Sequence, residues 1–196
     1  VTPSPYRVTA QGCESPLRQC EILSHVVSVR VRPDSLGSEE PAYENLVIGL
    51  AVILTQDCDL EQDHQVRFVT PKPASDKLLP AVLMAEVYTA QDVFARIAEG
   101  NRKQWERLNI AGNKNERFHF LQPVRPGCDW LYEGLPELTI DFKRYFTVPT
   151  AELYRRIELN QVRRRCVLLS PYLEHLSSRF AYFLSRVALP LDHASE

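Results

Sequence analysis

The sequence predicts an α+β fold built on a mostly antiparallel sheet or barrel. Two observations carry this expectation. Apolar, β-branched runs follow one another along the chain, at Cys20 to Val31, Val47 to Thr55, Val66 to Thr70 and Val82 to Tyr88, and strands in consecutive runs pair with neighbours rather than through crossover helices. The strongest helical periodicity lies near the C-terminus, where Leu173, Leu176, Phe180, Phe183, Leu184 and Val187 share one face, as a core-packing helix requires.

The elements follow in order. Cys20 to Val31 reads as a strand, bulged near Ser24-His25, and Arg32 to Asn45, with Pro33, Gly37 and Pro41, reads as a loop;. Val47 to Thr55 and Val66 to Thr70 read as strands flanking a polar loop, and Val82 to Tyr88 as another;. Thr89 caps a helix whose Asp92 meets the positive helix end, with Val93, Phe94, Ile97 and Ala98 at helical spacing;. Gly100-Asn101 breaks it, a second short helix over Arg102 to Leu108 presents Trp105 and Leu108, and 89–116 reads as a helical insertion. Arg117 to Leu121 and Leu138 to Phe142, extended by Tyr145 to Val148, complete about six strands. Thr150 caps a short helix through Ile157, and Ser170-Pro171 opens the last helix;.

With 196 residues, 44% apolar and 24% charged, the chain fits one domain spanning 1–196. A net charge of −2 gives no global pull toward nucleic acid or anionic lipid. No apolar run approaches a membrane span, and the polar, proline-rich start carries no signal pattern. The chain does not begin with Met, so a trimmed start is expected. Five scattered cysteines without a C-x-x-C pair argue against a disulfide framework. A reduced, cytoplasmic protein is expected.

Thr55 to His64 is the densest polar cluster. Asp57, Asp59, Glu61 and Asp63 surround Cys58 and end at His64, at the mouth of a strand, where a rigid scaffold favours function. Four acids so close repel by about 1 kcal/mol per pair even in water, so Asp57 and Asp59 are expected to be held by donors. Asp59 is expected to point inward beside an anchoring Leu60, with Asp63→Asn doing little. Cys58 is a poor nucleophile, because its flanking carboxylates disfavour a thiolate. The acids fail the calcium-loop pattern at Gln62 and Phe68, and no zinc spacing is present. No metal or cofactor is expected. Metal-free phosphodiester chemistry needs a base, an acid and a cation. Asp57, Asp59 or His64 can serve as acid or base, and Arg67 or Arg163, Arg164 and Arg165 as cations. These arginines, with Arg155-Arg156 and Lys143-Arg144, can also attract phosphate, with Tyr145, Phe146 and Tyr154 as stacking groups. The plainer alternative pairs them with acids elsewhere in the chain.

Several of these segments resemble one family. Gln19 to Leu23, Ala51 to Thr55, Val66 to Pro71 and Leu138 to Leu153 look like the first three strands and the segment before the last helices of MazF/PemK-type toxins. The resemblance implies an SH3-like, mostly antiparallel β-barrel with the 89–116 insertion and a C-terminal helix, usually dimeric, acting on RNA in toxin–antitoxin or phage-defence systems. It covers the strands and C-terminal part and leaves 72–116 outside. Thr70 is similar to the family's catalytic threonine, whereas Gly49 and Leu50 stand where the family has Arg-Pro. Thr55, Gln56, Cys58, Asp59 and Leu60 also resemble a Thr/Ser-Gln-x-Cys-Asp-Leu/Ile motif of bacterial proteins. The implied function is an RNA-directed endoribonuclease with an altered site. The alternative is a non-catalytic module binding a protein partner.

Overall fold

The computed structural model describes residues 4–72, 75–97 and 103–186. The fold is α+β, as expected, with seven antiparallel strands and five α-helices among the described residues. In chain order these are β1 (Tyr6–Val8), β2 (Glu21–Val31), β3 (Tyr43–Ile53), α1 (Asp57–His64), β4 (Ala81–Thr89), α2 (Ala90–Ile97), α3 (Lys103–Ala111), β5 (Phe118–Leu121), β6 (Leu138–Pro149), α4 (Thr150–Glu158), β7 (Arg163–Leu168) and α5 (Tyr172–Ser185). The strand order is β1-β7-β2-β3-β4-β6-β5. Among the described residues no ladder joins β1 to β5, so the sheet is open, although it curls enough to bring β2 near β6.

Strand alternation sorts the core onto two faces. Ile22, Val52, Ala85 and Val87 face one side with Phe142, under Leu176, Phe180 and Phe183 of α5. Leu23, Ala51, Ile53 and Met84 face the other, under Leu60 of α1 and Leu153, Tyr154 and Ile157 of α4. The periodic face of α5 is therefore core, with one correction: Leu184 is 53% exposed, because it lies past the edge of the stripe that Leu176, Phe180 and Phe183 define. Phe180 packs on Phe142 at 5.4 Å and near Tyr145 at 6.0 Å. Phe180→Ala is expected to cost about 3 kcal/mol, read by chemical denaturation.

Other expectations change. The 57–63 segment is helix, not loop, and Val66 to Thr70 is not a strand. Gln65–Val69 instead continues α1 as a π-helical turn. A short apolar run reads equally as strand or helix, and here Leu60, Asp63, His64 and Val66 form the inward face of a continuous helix. Two strands were not foreseen, β1 and the arginine-rich β7. Strand β3 begins at Tyr43, inside the expected loop. The irregularity in β2 lies against β7 between Ile22 and Leu23, and His25 takes a left-handed φ of 61°. Thr89 caps α2 as expected, its Oγ1 accepting the Asp92 amide at 3.1 Å. Thr150 makes no cap bond and its hydroxyl finds no partner among the described residues. Both helices of the insertion form, with Trp105 and Leu108 exposed. Ala98, Gly100-Asn101 and Val187 lie outside the described residues.

Candidate functional site

The residues around α1 do not converge on one opening. Asp57 and Asp59 occupy the first turn, where the exposed helix amides favour negative charge;. Asp57 is held as expected, accepting the Gln19 amide at 2.7 Å and Arg18 Nη2 at 3.0 Å. Asp59 is exposed, and among the described residues its side chain accepts only a long hydrogen bond from the Cys58 thiol at 3.6 Å. The inward acid is Asp63, 1% exposed, gripped by both ends of the Arg67 guanidinium at 2.7 and 3.1 Å and by the Leu79 amide at 2.9 Å. The helical turn explains the exchange. Leu60 is buried as expected, and residues three and four further on, Asp63 and His64, share its face while Asp59 turns away;. Asp63→Asn is expected to cost about 1–3 kcal/mol, because it breaks a buried charge-assisted pair. Asp59→Asn is expected to change stability by under about 0.5 kcal/mol. Thermal melts of the two variants check the pair.

The remaining predicted residues are also dispersed. His64 is buried, its Nε2 2.8 Å from the Cys13 carbonyl and its ring beside Phe68 and Tyr154. Thr55 Oγ1 accepts the Leu83 amide at 2.8 Å, tying the end of β3 to β4. Gln56 and Cys58 are exposed and meet each other at 3.7 Å. Thr70 is exposed and accepts Gln65 Nε2 at 3.3 Å. Of the arginine triplet only Arg163 faces solvent. Arg164 is buried against Glu21, and Arg165 against Asp129. Asp129 is raised by burial, but the bidentate Arg165 and the amides of Leu131 and Gly134 outweigh this and hold it below the usual carboxylate range. Nucleic-acid binding by Arg164 and Arg165 is thereby corrected to structural pairing, and the partner acids lie outside the 57–63 segment. Among the described residues no three His, Cys, Asp or Glu side chains gather closely enough to hold a metal ion.

A different set converges, between β4, β5, β6 and α2. Strand β6 is interrupted opposite β4: Ala85 pairs with Tyr145 and Val87 with Ile140, so Glu86 alone faces Asp141, Phe142, Lys143 and Arg144. Such a bulge re-aims side chains. It brings Asp141 and Arg144 to the rim of a cleft of ≈ 360 Å³ that also takes Tyr88, Arg96, Arg117 and Phe118. Glu86 is 9% exposed and accepts the Tyr88 hydroxyl and Arg144 Nη1, the latter at 3.4 Å. Burial, then the hydrogen bond and charge of Glu86, raise Tyr88 above the ordinary phenol range. Asp141, 3% exposed, accepts Arg117 in a bidentate pair at 2.8 and 2.6 Å and the Lys143 amide at 3.1 Å. The Asp141 hydrogen bonds raise Arg117 further.

The electrostatics are layered. The carboxylates lie beneath, and the arginines cover them. Arg117 and Arg144 have side chains 41% and 52% exposed, and the Arg96 guanidinium sits 4.5 Å from the Tyr88 ring centroid. Arginines held this way keep outward donors for an incoming anion. Asp141, the Tyr88 phenol and three guanidiniums line this cleft, and Glu86 lines an adjoining one that shares Tyr88 and Arg144; together they are components of acid–base chemistry on a charged substrate. The sequence signal for this site was faint. Glu86 interrupts the apolar run Ala81 to Val87, and Asp141 interrupts Leu138 to Phe142, but only the bulge joins them. No protein-family model and no curated protein matches the chain.

Proposed function

We propose that the chain is an RNA-directed protein of the MazF/PemK toxin type or a related bacterial defence role, acting in the cytoplasm as a metal-independent endoribonuclease from the β4–β6 cleft. The observation that carries this reading is a pair of adjoining clefts, one lined by Arg117 and Asp141 and the other by Glu86, with Tyr88 and Arg144 lining both. Here the sheet is an opened variant of the SH3-like barrel, a reading supported by its antiparallel order and by the curl that brings β2 near β6. Among the described residues no helix is long and apolar enough to cross a membrane.

The chemistry assigns each group a role. Glu86 takes the proton of a ribose 2′-hydroxyl, whose oxygen attacks the adjacent phosphorus. Tyr88, kept protonated by its raised pKa, gives its proton to the departing 5′-oxygen. The products are a 2′,3′-cyclic phosphate and a 5′-hydroxyl. Arg96, Arg117 and Arg144 carry the charge that accumulates on the non-bridging oxygens. Glu86→Gln is expected to lower cleavage of a mixed RNA pool by about 10²–10³-fold, with EDTA without effect and binding retained. Equal cleavage by wild type and Glu86→Gln would remove this reading.

A second reading, a non-catalytic module for a protein partner or a second copy, is favoured by one observation. Beyond the pairing with β7 and β4, the β2–β3 hairpin projects with Val29, Val31, Tyr43 and Val47 exposed on one face;. No cleavage of a broad RNA pool by the wild type would favour it.

A further inference from the structure

Strand β5 contributes to two cavities. Phe118 lines the cleft just described, and the next residue, His119, lines a separate cavity of ≈ 280 Å³. The second cavity has a largely apolar floor of Tyr6, Leu121 and Leu168, all 4% exposed or less, and a mouth formed by the exposed Tyr172 and His175 at the start of α5. Its unusual member is His119. The imidazole is 2% exposed, yet no hydrogen bond reaches it from the described residues, and its Nδ1 is buried without a partner. An unmade hydrogen bond on a buried polar atom costs about 1–3 kcal/mol, and a phenylalanine would pack there without that cost.

The surroundings point to what this atom serves. His175 stands across from it, ring centroids 5.2 Å apart. Arg179, one turn along α5 from His175, is anchored to the carbonyls of Asn113, Asn115 and Phe118, and no carboxylate pairs with it among the described residues. The region is therefore positive and holds an imidazole that is neutral at pH 7, since burial, then Arg179 and His175, push it down to about 3. A neutral imidazole offers one donor and one acceptor. The cavity lies just below the size range of whole-ligand sites.

We propose that this cavity binds the base of a nucleotide, with His119 hydrogen-bonding the base edge, Tyr172 and His175 stacking at the mouth, and the Arg179 cation favouring the attached phosphate. The base recognised is that of a free nucleotide or of a single-stranded RNA. In the latter case the inference rests on the RNA reading above and supplies its sequence preference. A planar ring with polar edges and an anionic tail matches an apolar floor, an unpartnered imidazole and an uncompensated cation.

The test is long-range ¹H–¹⁵N spectroscopy of the histidine ring nitrogens as AMP, GMP, CMP and UMP are added in turn, followed by a single-stranded tetranucleotide of mixed sequence. A saturable shift of the His119 and His175 nitrogens is expected with at least one of them, and in His119→Phe, whose melting temperature should stay level or rise, the binding read on the His175 nitrogens is expected to weaken about tenfold;. Tighter binding of the tetranucleotide assigns the site to RNA, and equal or tighter binding of a mononucleotide assigns it to a free nucleotide. Should His119→Phe fail to fold, Tyr172→Ala and His175→Ala, both at exposed positions, are expected to weaken the same binding. No shift with any probe, or full binding by all three variants, overturns the proposal. Nucleotide binding here without RNA cleavage would keep the pocket and remove the Glu86 reaction. Cleavage lost in Glu86→Gln with no nucleotide binding would do the reverse.

Discussion

Replacing Arg164 with methionine is expected to lower stability by about 3–5 kcal/mol, a fall on the order of 10 °C in melting temperature for a chain of this size. Arg164 is 1% exposed on β7 and forms a bidentate pair with the fully buried Glu21 on β2, at 2.6 and 3.0 Å. Its remaining donors reach the carbonyls of Gly12, Ser15 and Pro16, at 3.3, 3.0 and 2.8 Å. Glu21 also accepts the Arg18 amide at 2.9 Å. The single substitution strands a buried carboxylate and several carbonyls at once. A buried ion pair replaced whole by apolar residues is often neutral, but here Glu21→Leu with Arg164→Met is expected to stay destabilised, because the carbonyls of the 12–16 segment still lose their donor. Urea unfolding of both variants checks this. Full recovery in the double variant would mean that the carbonyl bonds contribute nothing.

Stability is expected to fall by roughly 4 kcal/mol as the pH drops from 6.5 toward 3, because of His119. In the fold its pKa is lowered to about 3, first by burial, then by Arg179 and His175. In the unfolded chain it returns to about 6.5. Between these values the unfolded state binds a proton that the folded state refuses, so acid favours unfolding, with a slope approaching about 1.4 kcal/mol per pH unit. Above pH 6.5 both states are neutral there and the slope vanishes. Asp129 acts lower down. Its folded pKa is depressed, so its contribution is present above the unfolded carboxylate value, about pH 4, and is lost as pH falls through the folded value. His119 therefore dominates from pH 6.5 to about 4.5. Denaturation midpoints against pH should slope for the wild type in that window and flatten in His119→Phe, and parallel profiles would refute the assignment.

What the sequence determined by itself is what local pattern can carry. The β-branched runs of β2, β3 and β4, the Thr89 cap of α2, and the Leu176–Phe180–Phe183 stripe of α5 each declare themselves through neighbours within a few residues, and together they imply an antiparallel α+β chain. Tertiary structure decided everything that depends on partners far along the chain. The acids after Thr55 read as a loop until the core claimed Leu60, Asp63 and His64 as one helical face. The triplet Arg163-Arg164-Arg165 reads as a basic patch. Its placement on β7 instead buries two of the three against Glu21 and Asp129, separated from them by 143 and 36 residues. The candidate site is the extreme case. Glu86 on β4, Asp141 and Arg144 on β6, and Arg117 in the bend before β5 meet because β6 bulges opposite one residue of β4. A bulge is a property of pairing register, and register exists only once two strands have met.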